Sequence, residues 1–358
     1  MDSSGKKKDE SEDKLNSAAE ANAQLYCESC NKDGIRLTPQ GYCQNCMERD
    51  NCYKTHREPS PNAETDELER GDMVGRCKGL RTDGGCFEIL TIKYSEDIDV
   101  QIPSDKYDCS IPGATVIAKD IVSLCDFSNS SVKIVDTQLK KTISEKALPD
   151  CPDNLALLPN DILAVTLSDM KTIAFLSIPT ELTEVRRLEV DGNCKDLVYH
   201  DNKLIVAFEW PGKVQIMDLD GHVYKSVEKD FYGNELKSPY VTHGAKKNIY
   251  ISDSIKSTIT SMNLNGEILK GYKDERLVEP CGMVVLDDGS ILVCSSGNNK
   301  ILLISENLET TRVILEEKDG LYCPWSLTLD REQNKLYVGS GKKCNFLNVY
   351  DVYAEAIV

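Results

Sequence analysis

Short apolar runs return along most of the chain at a nearly fixed interval. They are IVSLC from Ile121, ILAVT from Ile162, LIVAF from Leu204, IYIS from Ile249, ILVC from Ile291 and LYVGS from Leu336, spaced by roughly 41 to 45 residues. A second run follows each about ten residues later, such as VKIVD from Val132, VQIMDL from Val214 and KILLIS from Lys300. A shorter run opening near a proline or small residue precedes each, as in PDNLALL, SPYVTHG and PCGMVVL. The runs are too short for helices and are bounded by turn residues (NSS, PGK, DDGS), so they read as strands. With a more variable fourth run, such as RRLEV (Arg186 to Val190) or TRVIL (Thr311 to Leu315), the unit is a four-stranded meander.

The expected fold class is therefore mostly β, a six-bladed β-propeller over residues 86–358. The last unit, ending in VYDVYAEAIV, has no clear fourth strand, whereas FEILTIKYS (Phe87 to Ser95) is a strand without a repeat of its own. The early strand is expected to complete the last blade, because closing the ring removes two open sheet edges.

The remaining chain breaks the pattern. Residues 1–24 are charged and poor in aromatic and β-branched residues, which predicts a disordered tail. Residues 25–57 hold a packed cysteine cluster, and residues 58–85, with two prolines and many acids, predict a linker.

Fifteen cysteines would suggest disulfides in a small secreted chain, but the number is odd and no secretion signal or membrane-length apolar run is visible. A cytoplasmic protein with reduced thiols is expected. Cysteines inside the repeats, such as Cys125, Cys194, Cys281, Cys294, Cys323 and Cys344, read as small core residues. The cluster reads differently: Cys27-x2-Cys30, Cys43-x2-Cys46 and Cys52-x3-His56 pair thiolates as tetrahedral zinc requires. One reading closes a single four-thiolate site on Cys27, Cys30, Cys43 and Cys46. In either reading the zinc is structural.

The repeats, with stretches such as PCGMVVLDDGSILVCSSGNNKILLIS and SPYVTHGAKKNIYISDSIKSTITSMNLNG, resemble NHL repeats. The whole resembles the tripartite-motif-like B-box/NHL proteins of bivalves and similar invertebrates. The resemblance implies a B-box, in which Cys27 and Cys30 would share one zinc with Cys52, and Cys43 and Cys46 a second with His56. Each ion would then have three clear ligands, with Asp50 and Asp66 as weak substitutes. No RING precedes Cys27 and no long heptad segment follows the cluster, so neither ubiquitin transfer nor coiled-coil dimerisation is implied residue by residue.

The net charge of −17 argues against wholesale coating of nucleic acid or an anionic membrane. Loops joining the second and third strands of each blade share a face with the loops between blades, and most carry lysine: Lys133, Lys171, Lys213, Lys256, Lys300, Lys342 and Lys343. Lysine entering a strand from solvent is ordinary. With Trp210 and Trp325 on the same face, the set is also a candidate partner-binding ring.

The chemistry for catalysis is sparse. His200, His222 and His243 lie in separate blades at unlike positions, and the first strands offer Asn154, Asp196 and His243 near their starts without a ring of glutamates. The expected function is a non-enzymatic zinc-binding adaptor whose propeller recognises a protein, linked by the resemblance to ubiquitin or innate-immune signalling. The alternatives are an RNA-binding regulator using the lysines and, last, a calcium-dependent propeller hydrolase.

Overall fold

A computed structural model describes residues 89–179, 181–244 and 248–355. The zinc-ligand set Cys27, Cys30, Cys43, Cys46, Cys52 and His56, the tail, and all but a few residues of the linker region lie outside the described residues. Among them, all regular structure is strand, apart from two single turns of 3-10 helix. No described helix is long and apolar enough to cross a membrane.

The strands form six sheets of four, each an antiparallel meander. This is the six-bladed propeller. The innermost strands of blades one to six are Ala114–Ala118, Pro152–Leu158, Asn193–His200, Pro239–His243, Pro280–Val285 and Pro324–Asp330. The second and third strands are apolar almost without interruption because both their faces are covered by neighbouring blades: Leu163, Ala164 and Val165 are all fully buried. Each junction between blades holds its own apolar cluster, for example Cys125, Val132 and Ile134 of blade one against Leu163, Val165 and Leu176 of blade two. Of the repeat cysteines, Cys125, Cys194, Cys281, Cys294 and Cys323 are buried, Cys344 is half-buried, and all are free thiols.

The sixth blade is completed by the strand Ile89–Asp99, which pairs antiparallel with Phe346–Glu355 at the opposite end of the chain. The alternation ended this strand at Ser95. Pairing instead continues to Asp99, past a register shift between Tyr94 and Glu96, because Ile98 opposite Leu347 is fully buried and anchors its far end.

The segment from Val100 to Gly113 then crosses from blade six to blade one around one buried cation. Lys133 has no exposed side-chain surface; its Nζ donates to Asp105 Oδ2 at 2.6 Å, Asp126 Oδ2 at 2.8 Å and the Val100 carbonyl at 3.1 Å, and lies 3.4 Å from Cys109 Sγ. Burial alone would push its pKa down, but the two carboxylates reverse this and hold it at about 12. Lys133 therefore leaves the expected lysine ring. Among the described residues, the Asp105, Cys109 and Asp126 group that has the spacing of a metal site is occupied by this ammonium.

Removing one partner of such a group leaves uncompensated buried charge. Lys133→Met should lower unfolding stability by about 3–5 kcal/mol in urea denaturation, while Lys171→Met on the surface should change it by less than about 0.5 kcal/mol. Equal effects would remove Lys133 as the closure anchor.

Candidate functional site

The six innermost strands line an axial cavity of about 280 Å³. Its walls carry aliphatic side chains interspersed with Thr115, Thr242 and Thr328, as expected where alternate residues of each strand face the axis. Asn154 and Asp196 do sit near the starts of their strands. They face each other: the Asn154 amide donates to Asp196 Oδ1, and Val241 N donates to Asp196 Oδ2 at 2.7 Å. The pair thus ties blades two, three and four together. Burial pushes the Asp196 carboxyl up to about 7 despite these donors.

At the end where the inner strands begin, side chains from opposite sides of the ring close over the cavity. Lys195 of blade three is ion-paired with Glu209, donates to Ser238 Oγ at 3.0 Å, and lies 4.8 Å from the Tyr240 ring centroid and 5.9 Å from that of Trp325. Tyr240 and Trp325 meet edge to face at 6.3 Å. Trp325 has a seat made for it: a Cβ on Gly341 would lie 2.0 Å from its ring, and one on Gly282 would lie 2.4 Å from its carbonyl oxygen. Burial opposes the Lys195 charge, but Tyr240 and Glu209 hold its pKa above the ordinary lysine value. Beside it, burial raises Asp153 to about 7 against the pull of Ser168 and Lys195, and its Oδ2 is buried without a partner.

The other end of the cavity is basic. His243 is the last residue of its strand, not near its start, and it stacks on His200 with ring centroids 4.4 Å apart. The two histidines had been placed in separate blades at unlike positions. In fact both inner strands end there, so the ring curvature brings them together. Burial and the neighbouring His200 hold the His243 pKa below its usual value. Arg331, just past the inner strand of blade six, lines the same end; its Nε donates to Asp287 Oδ1 at 3.0 Å and its Nη2 to the Val285 carbonyl at 2.6 Å.

The sequence-selected face residues divide. Trp210 is 67% exposed, with a φ of 48°, a left-handed conformation uncommon for so large a side chain. Lys171, Lys342 and Lys343 are exposed, and Lys256 and Lys300 are half-buried. Lys213 is buried, donating to the Asp191 carbonyl at 2.7 Å and lying 5.0 Å from the Phe208 ring centroid. Trp325 is half-buried in the plug. The lysines therefore do not form a continuous ring. What the loops of this face do present is apolar: Tyr107, Met170, Tyr232, Ile255 and Tyr322 are exposed alongside Trp210. Single loop aromatics carry no period, so only the tryptophan stood out in the sequence.

No protein-family model matches the chain, and no curated protein matches it. Solved structures share its fold. A streptogramin B lyase structure is 14% identical, matching 74% of this chain and 98% of that one with a TM-score of 0.54. A protein of unknown function from Bacteroides thetaiotaomicron is 12% identical, matching 74% of this chain and 76% of that one with a TM-score of 0.58. At these identities the likeness is one of fold.

Asp153 gives the mouth a pH signature. Its folded carboxyl binds a proton more tightly than the unfolded one, so its stabilising contribution is complete below about pH 4 and is lost as pH rises through about 7. Asp153→Asn should flatten the fall in stability across that window in urea titrations. Parallel wild-type and variant curves would mean that Asp153 titrates as an ordinary carboxyl.

Proposed function

We propose that this protein is an adaptor whose propeller recognises a protein partner on the face where the inner strands begin. The supporting observation is the apolar character of that face. Tyr107, Met170, Trp210, Ile255 and Tyr322 are contributed by loops of several blades and surround a channel mouth filled by the protein's own Lys195, Tyr240 and Trp325. Exposed aromatic anchors on a rigid scaffold are the residues that dominate protein–protein binding energy. The positive φ of Trp210 adds support, since local strain is tolerated where a side chain must be presented. Buried Lys133 and Lys213, each neutralised internally, weaken the case for a phosphate-binding ring and hence for RNA.

The same proposal assigns zinc to the cluster Cys27, Cys30, Cys43, Cys46, Cys52 and His56, on the chemistry of the donor set. A place in ubiquitin or innate-immune assemblies is its finest part and rests on the resemblance of the repeats.

Cross-linking capture from native tissue extract tests the face. Trp210→Ala combined with Tyr322→Ala should lose the proteins retained by the wild type, and Tyr224→Ala on the opposite face should keep them. An identical set from all three proteins, or one dominated by RNA, would sink the reading. Elemental analysis of the full chain should give one or two zinc ions per molecule, and none would remove the metal assignment.

A further inference from the structure

The basic end of the axial cavity lies on the face opposite the proposed partner surface and has no part in that reading. We infer that it binds the carboxylate of a small organic acid, whose hydrocarbon body occupies the channel.

The first support is the state of Arg331. A guanidinium offers five N–H donors in a rigid fork suited to carboxylates. Arg331 spends Nε on Asp287 and Nη2 on the Val285 carbonyl, which fixes the plane and leaves Nη1 uncommitted at the cavity wall. The bond to Asp287 is a weak competitor, because that carboxylate is 86% exposed and well screened.

The second support is the pair of imidazoles. His243 also lines the cavity, and its Nδ1 is buried without a hydrogen-bond partner. His200 stacks against it at 4.4 Å and holds the ring in place. A neutral imidazole in the Nδ1–H tautomer donates to an anion without needing an added proton. Three basic side chains thus converge at one point of a chain whose net charge is −17.

The third support is the wall behind them. Val116, Leu157, Val198, Val284 and Leu329 line the cavity, whose volume of about 280 Å³ admits a compact organic body but not a polymer chain. An inorganic anion would leave these walls unused. The class that satisfies both ends is a monocarboxylate with an apolar tail.

Calorimetry on the full chain tests this with benzoate, butyrate and hexanoate as probes, and with benzamide and inorganic phosphate as controls. At least one carboxylate should bind saturably, and benzamide should bind roughly tenfold or more weakly because it lacks the charge. Arg331→Gln should weaken carboxylate binding by a similar factor. Asp287→Asn, which removes only the exposed competitor, should leave binding unchanged or tighten it. Thermal melting of both variants checks that the propeller is intact; should Arg331→Gln melt early, the Asp287→Asn and benzamide comparisons still decide. The inference is overturned by any of three results: no saturable binding of the three carboxylates at millimolar concentration, equal binding of benzamide, or phosphate binding as tightly as benzoate.

Discussion

A ring of blades exists only if its last blade can be finished by its first strand, and every other feature here depends on that closure. The pairing of Ile89–Asp99 with Phe346–Glu355 joins residues from the two ends of the propeller, so the loop it closes is nearly the whole domain. Loop-closure entropy grows only slowly with length, and a strand pair can meet it if the seam is also held laterally. The segment after Asp99 supplies that hold. Ile111 N donates to the Ser340 carbonyl and Cys344 N to the Cys109 carbonyl on the blade-six side, while Asp105 and the Val100 carbonyl reach Lys133 on the blade-one side. A single ammonium serves both blades, which explains why it is fully buried and why its carboxylates are matched to it.

Closure also creates the channel. Once six inner strands converge, residues at the same strand level face one another regardless of sequence separation. Lys195 and Trp325 come from blades on opposite sides of the ring, yet the ammonium lies over the indole ring. The same convergence stacks His200 on His243 and sets Asn154 against Asp196. None of these pairs has a local signature, because each depends on the radius of the ring.

That distinction marks what could be read from the sequence. Blade number, meander order and the closing strand were legible because they rest on spacing and apolar period, which two-sided burial imposes on every blade. TRVIL at Thr311–Leu315 is observed as a strand with those bounds. Lysine burial was not legible. Lys133 and Lys171 occupy comparable loop-to-strand positions, and only the Asp105 segment folded over the first makes it a core residue. The same holds for Lys213, which is covered by Asp191 and Phe208. A basic ring inferred from sequence counted charges without their partners. The histidines failed in the opposite direction, since strand position was judged without the strand lengths that bring both to one end.

The two ends of the channel consequently differ in how their charges are satisfied. At the partner-facing end, Lys195 is enclosed by Glu209, Ser238, Tyr240 and Trp325, so the ammonium is neutralised inside the fold. The energy of any contact there has to come from apolar surface outside the plug, which is where Trp210, Ile255 and Tyr322 stand. At the opposite end the matching is incomplete: Arg331 is half-exposed, its acidic partner is mostly in solvent, and the imidazoles beside it contribute no negative charge. A satisfied charge stiffens a scaffold, whereas an incompletely satisfied one is available to a ligand. The same ring of strands thereby separates a rigid, apolar docking face from a small polar recess, with the aliphatic channel wall insulating one from the other.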